Sequence, residues 1–288
     1  MATARDIRRR IRTVRNIEQI TNAMRMVAAA RLRKAQERVL AARPYASQMR
    51  SLMQRLAGAA GAITHPLLQR HDGNRVALVV FSSDRGLCGS YNVNLGRLTL
   101  DFINERQPSE VSLFVVGKRG RDLLRRRGYP PTQSYPVPTD GTFAHIRPIS
   151  LAVRSMYEQN QVDEVYLVFA RFVSTMVQRP TVVQLLPVEP PVVAPEDQEQ
   201  PLEYIFEPTP TQLLEHLLPR YVDTVLFQAL LEAMASEFGA RVTAMSNATN
   251  NASEMIEQLT LNLNRARQAA ITKELAEIMG GVNALQKQ

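Results

Sequence analysis

Every one of the seventeen prolines in this 288-residue chain lies between Pro44 and Pro219. The glycines follow the same division. None precedes Gly58, and after Gly141 there are only Gly239, Gly280 and Gly281. Proline removes a helix hydrogen bond and clashes with the preceding turn, and glycine raises the entropic cost of a helix. A chain that keeps both residues out of its ends predicts two long terminal helices around a central body.

The apolar positions of the first segment support this. Ile7, Ile11, Val14, Ile17, Ile20, Met24, Ala28, Leu32, Ala35, Val39, Ala42, Ala46, Met49, Met53 and Leu56 follow one another in steps of three or four. The mean step of about 3.5 is the repeat of a left-handed coiled coil. Pro44 lies inside the repeat, which resumes in phase at Ala46, so a local kink or unwinding is expected there. The last segment begins at an N-cap, Thr209 or Thr211. It carries Leu214, Leu217, Tyr221, Val225, Leu231, Met234, Phe238, Met245, Ala248, Ala252, Met255, Leu259, Leu263, Ala266, Ala270, Leu275 and Ile278. Pro219 is expected to bend its first turns, and Gly280–Gly281 to stop or fray it. Antiparallel pairing leaves this helix longer than its partner by about 15 residues, or about 24 Å. Its end, RARQAAITKELAEIMGG, then projects alone with an apolar stripe that needs a receptor.

The middle alternates. RVALVVF (75–81) and VSLFVVG (111–117) are continuous apolar runs, as strands buried on both faces must be. Helical patterns follow each, and a third covers 143–160. DEVYLVFARFVS and PTVVQLLPVE read as a hairpin around a turn at MVQR. PVEPPVVAPEDQEQP (187–201) is a proline-rich acidic linker. The fold class is therefore α/β: a long antiparallel coiled coil of N- and C-terminal helices plus an open, mostly parallel α/β domain. The boundaries fall at 1–58, 59–208 and 209–288.

Charge is divided as sharply as proline. Residues 1–58 hold fourteen Arg or Lys and three Asp or Glu, a net of +11. Residues 59–208 carry −1 and residues 209–288 carry −2. The basic excess suits a polyanion or a negatively charged protein cavity. The only cysteine, Cys88, leaves no internal disulfide and no cysteine metal cluster, which points to a reducing compartment. The start, MATARDIRRRIRTVRN, lacks the apolar core of a signal peptide and reads as mature protein. No apolar run reaches the roughly 18 residues that span a bilayer.

Catalytic signals are weak. SDRGLCGS (83–90) follows the first strand, where α/β folds bind ligands, but lacks GxGxxG and GK[ST] and reads as a tight turn. GKRGR (117–121) is a fragment of a phosphate loop without its Ser or Thr. Asp84 and Arg85 read as a turn or a partner contact. His65, His71, His145 and His216 are scattered, and each reads as solvated. No metal or cofactor is expected. A nucleic-acid-binding coiled coil with an α/β head is the alternative. The first helix has Arg5, Arg8, Arg9, Arg10, Arg12 and Arg15 but Tyr45 as its one aromatic residue, a poor set of base readers.

ITNAMRMVAAARLRKAQ (20–36), ARPYASQMR (42–50), SSDRGLCGSYNVNL (82–95), EYIFEP (203–208) and the block from Ala235 to Gly281 resemble the γ subunit of F-type ATP synthase, over almost the whole chain. The resemblance implies a central rotor shaft without catalytic residues or cofactor. Its coiled coil would sit inside the hexamer of α and β subunits. Its globular foot would rest on the c-ring with the ε subunit, peripheral to the cytoplasmic face of a bacterial inner membrane. It places Arg267, Gln268 and Thr272 at the catch loop of β, Glu274 and Glu277 near the tip, and Arg241 and Met24 against the hexamer. Tyr204, Phe206 and Glu207 match the foot region near the c-ring, with Phe206 standing where some relatives carry Tyr. With Cys88 alone, no thiol switch of the chloroplast kind is expected.

Overall fold

The structure is a computed structural model that describes residues 4–59, 65–188 and 209–285. In chain order it contains α1 (Ala4–Ala59), β1 (Arg75–Phe81), α2 (Tyr91–Arg106), β2 (Glu110–Val116), α3 (Lys118–Arg126), β3 (Gln133–Tyr135), a 3₁₀ turn (Phe143–His145), α4 (Arg147–Glu158), β4 (Glu164–Phe172), β5 (Gln178–Leu186) and α5 (Pro210–Leu285). The chain divides into two compact units, residues 28–241 and residues 1–27 with 242–288.

The larger unit is built on a five-stranded sheet of order β3-β2-β1-β4-β5. β1 pairs in parallel with β2 and with β4, and β2 with β3; β4 and β5 are antiparallel. Alternate residues of each strand point to opposite faces. Ala77, Val79, Phe81, Phe114, Val116, Leu167 and Phe169 meet α4, α5 and the end of α1. Val76, Leu78, Val80, Leu113, Val115 and Val168 meet α2 and α3. Burial on both faces explains why the parallel strands read as unbroken apolar runs. The β4–β5 connection covers 173–177 rather than MVQR, because Gln178 and Arg179 already pair with Phe172 and Arg171.

The turns after β1 and β2 are locked to each other. Ser82 Oγ donates to the Val116 carbonyl at 2.8 Å and accepts from the Gly120 amide at 3.0 Å. Asp84 takes the Lys118 amide on one carboxylate oxygen (2.9 Å) and the Val137 amide on the other (3.1 Å). The residue pair Asp84–Arg85 is thus a turn clamp. Gly117 has φ +103°, and a Cβ there would lie 2.6 Å from Ser82 Oγ, so both conformation and space call for glycine.

α5 starts where the sequence indicates. Thr209 Oγ1 accepts from the Gln212 amide at 3.3 Å, and Pro210 takes the first helical position. Both terminal helices are unbroken at their prolines, Pro44 and Pro219, so no local unwinding accompanies either. α5 also runs through Gly280–Gly281 to Leu285 rather than stopping there. Glycine weakens a helix but keeps its N–H, so the hydrogen-bond ladder can continue. His145 and His216 are exposed, as expected, but His65 and His71 are half-buried. His71 stacks on Tyr157 with ring centroids 4.5 Å apart, and His65 Nδ1 accepts from the Leu67 amide.

In the smaller unit α1 and α5 run antiparallel. Thr21 Oγ1 lies 2.9 Å from Thr249 Oγ1, and Ser253 Oγ donates to Glu18 Oε1 at 2.8 Å. The seam departs from the apolar repeat here. Ile17 and Ile20 are 47% and 59% exposed, and Glu18 and Thr21 face α5 in their place. On α5 the seam takes Ile256, and Met255 turns outward. With Ile7, Ile11, Val14, Glu18, Thr21 and Arg25, the steps alternate strictly between four and three, as a heptad seam requires.

Gly117→Ala should lower stability by about 2–4 kcal/mol, from positive-φ strain plus the clash with Ser82. Thermal melting by circular dichroism should then fall by several degrees. A variant that melts with the parent would show that the Ser82–Gly117 contact does not hold these turns.

Candidate functional site

α1 begins at Ala4, and the Thr21–Thr249 register sets that residue opposite about residue 266 of α5. Burial agrees. Ala266 is half-buried, and every described side chain from Arg267 to Met279 is exposed. The stretch includes Ile271 (46%), Leu275 (57%), Ile278 (62%) and Met279 (61%). At offsets of four, three and one, these residues cover one side of the helix. Arg267, Gln268, Thr272 and Glu274 share the same exposed turns, and the helix carries Glu277 one turn further on. Among the described residues, this end of α5 is a lone amphipathic helix, suited to a sleeve or groove in another protein.

The other expected residues are not gathered there. Met24 is half-buried in α1, roughly 33 Å along the coiled coil from Gln268. Tyr204, Phe206 and Glu207 lie outside the described residues. Arg241 belongs to the larger unit and is turned inward, only 8% exposed. Its Nη2 donates to Glu237 Oε1 at 2.6 Å and lies 3.4 Å from the carbonyls of Arg85 and Gly86. Within the chain, Arg241 ties α5 to the turn after β1. Burial pushes the Glu237 carboxyl up, opposed by this guanidinium.

That turn lies where an α/β enzyme would bind its ligand, at the carboxyl ends of β1 and β4 where the strand order reverses. α5 fills the place. Ser236 Oγ donates to the Ala170 carbonyl at 2.7 Å, and Tyr91 Oη donates to the Ala233 carbonyl at 3.1 Å. Between Ala229 and Arg241 only Glu232 and Phe238 are not buried. The amino end of α3, the other candidate phosphate site, already holds the Asp84 carboxylate. Cys88 is buried beside Ser83, and burial pushes its thiol up, away from the reactive thiolate. Among the described residues, no group of three or more His, Cys, Asp or Glu could hold a metal ion. No described helix is long and apolar enough to cross a membrane.

Comparison with known proteins agrees with this geometry. The sequence profile of the ATP synthase family matches residues 3–285. A protein of Desulfitobacterium hafniense named ATP synthase gamma chain is 51% identical over 99% of this chain and 100% of its own length. The chain belongs to the ATP synthase gamma chain family. A Geobacter gamma chain is 45% identical over 99% of both chains. Among solved structures, a chain in a Euglena gracilis mitochondrial ATP synthase complex (OSCP/F1/c-ring) superposes with a TM-score of 0.70 at 19% identity, covering 98% of this chain and 94% of its own. A chain of the Tetrahymena thermophila central stalk and c-ring gives 0.62 at 23%, covering 80% and 99%. At these identities the structural matches establish the shared fold.

Two predictions concern the buried charges of α5. Arg241→Met should cost about 3–5 kcal/mol by leaving Glu237 unpaired, whereas Glu237→Leu combined with Arg241→Met should be nearly neutral. Calorimetric melting of both variants checks this, and equal losses in the two would contradict it. Glu232, 14% exposed and 3.9 Å from Arg171 Nε, has its carboxyl pushed up by burial. Its contribution to stability is present below the ordinary carboxylate value and lost as pH rises through the raised one. Glu232→Gln should therefore melt progressively higher than the parent as pH is raised from about 4.5 to 7. A difference independent of pH would remove Glu232 as the cause.

Proposed function

We propose that this chain is the central-stalk subunit of a proton-translocating F-type ATP synthase, coupling rotation of the c-ring to ATP synthesis or hydrolysis by the α/β hexamer. The observation that carries the reading is the lone amphipathic end of α5, in a chain of the gamma family. A helix whose apolar stripe has no internal partner among the described residues over about two and a half turns loses free energy in water unless a receptor covers it. In this reading the receptor is the sleeve formed by the α and β subunits. Arg267, Gln268 and Thr272 meet the catch loop of β, with Glu274 and Glu277 beyond them, and Met24 faces the hexamer at its own level. Residues 203–208, with Tyr204, Phe206 and Glu207, approach the c-ring and the ε subunit.

The subunit has no active site of its own. α5 occupies the crevice where a ligand would bind, and the chain works by presenting different side chains at different angles. Contacts that differ among the β subunits can shift their conformational equilibria, whereas uniform contacts could not. The functional division into coiled-coil segments 1–58 and 209–288 and a foot of 59–208 follows this use. The chain is peripheral to the membrane, at the cytoplasmic face in a bacterium, and is held there through its partners.

The test is a chain ended after residue 265, assembled with its cognate subunits. Torque per step, read from single-molecule rotation, should fall while rotation itself persists. Undiminished torque would mean that the end of α5 is not a bearing.

A further inference from the structure

β3 is three residues long and pairs only with Phe114–Val116 of β2. The chain reaches it from Thr132, whose amide donates to the Leu113 carbonyl at 2.8 Å and whose Oγ1 accepts from the Leu113 amide at 3.2 Å. On that side of β2, no strand among the described residues continues past Leu113, so Glu110–Ser112 form an open edge. Strand periodicity points the Val111 N–H and C=O the same way as those of Leu113, towards the open side. They face a groove of about 670 Å³ lined by Ile103, Gln107, Ser109, Glu110, Leu113 and Tyr129. Gly128 turns the chain along the far wall at φ +90°, and a Cβ there would meet nothing within 4 Å.

The groove has a basic rim. Arg125, Arg126 and Arg127 are exposed at the end of α3, just before Gly128. In this helix the one carboxylate is Asp122, which pairs with Arg121 at 3.0 Å and approaches Arg125 at 3.9 Å.

We propose that this groove receives an extended, carboxylate-bearing segment of a partner protein, added to β2 as a strand in continuation of β3. Backbone pairing to Val111 would hold the segment. Its alternate apolar side chains would enter over Ile103, Leu113 and Tyr129, and its carboxylates would meet the guanidinium groups of Arg125–Arg127. A flat anionic surface such as a bilayer could satisfy the arginines but could not reach the strand edge, which is why a peptide is the occupant. The inference is independent of what covers the end of α5.

The experiment uses the full chain and a fluorescein-labelled peptide of alternating Asp and Val, with an alternating Lys and Val peptide as its counterpart. Fluorescence anisotropy should show binding of the acidic peptide alone, and amide hydrogen exchange should slow at 110–112. Ser109→Trp, which fills the groove, and the triple change of Arg125, Arg126 and Arg127 to Gln should each weaken binding by about tenfold or more. Changing Arg8, Arg9 and Arg10 to Gln should leave it intact. The proposal fails if the acidic peptide does not bind, or if exchange at 110–112 is unchanged. It also fails if the α1 changes weaken binding as much as the α3 changes, which would reduce it to general charge attraction. Sizing that showed a dimer abolished by Ser109→Trp would make a second copy the occupant and overturn it as well. If Ser109→Trp does not fold, the α3 triple variant and the exchange data decide.

Discussion

The larger unit depends on α5 occupying the crevice at the carboxyl ends of β1 and β4. A doubly covered parallel sheet ordinarily leaves this place open for a ligand. Here it is closed by Ser236 on the Ala170 carbonyl, by Ala233 under the Tyr91 hydroxyl, and by Arg241 against the carbonyls of Arg85 and Gly86. A helix buried on nearly all sides must bring its own polar satisfaction, and the Glu237–Arg241 pair supplies it. The family's fold thus reuses an enzyme-like sheet as a mount for a helix.

The smaller unit obeys a different constraint. Its seam needs side chains at alternating steps of four and three, and the sequence places polar groups at some of those positions. Glu18 and Thr21 find Ser253 and Thr249 across the interface. Each threonine hydroxyl also donates to a carbonyl of its own helix, Thr21 to Glu18 and Thr249 to Met245, so this polar layer is tied to both backbones. A polar layer in an otherwise apolar seam also penalises any shift of one helix along the other, since a shift would set these groups against apolar neighbours.

The long helices and the α/β alternation were legible because proline placement and apolar period are properties of a single segment. What escaped the sequence depends on a second segment. Ile17 and Ile20 continue the apolar repeat, and only Thr249 and Ser253 on the facing helix reveal that Glu18 and Thr21 take the seam. The resemblance sets Arg241 against a partner, and its pairing inside the chain shows only once Glu237 is seen one turn before it in a buried stretch, a spacing that α5's own sequence did offer. Gln133–Tyr135 carries no apolar run and forms a strand only because the edge of β2 is present. The exposed end of α5 was legible from the unequal lengths of the two helices. The positions of Tyr204, Phe206 and Glu207 remain where the sequence left them, beyond the described residues.

The central claim is that the chain completes a rotary assembly rather than acting alone. The most direct measurement mixes it with its cognate α and β subunits and follows assembly by sizing and ATP hydrolysis, with and without the chain. The account predicts a stable complex holding one copy of this chain per hexamer, with hydrolysis sustained only when it is present. A hexamer that assembles and hydrolyses ATP equally well without it, while the chain elutes apart, would contradict the account.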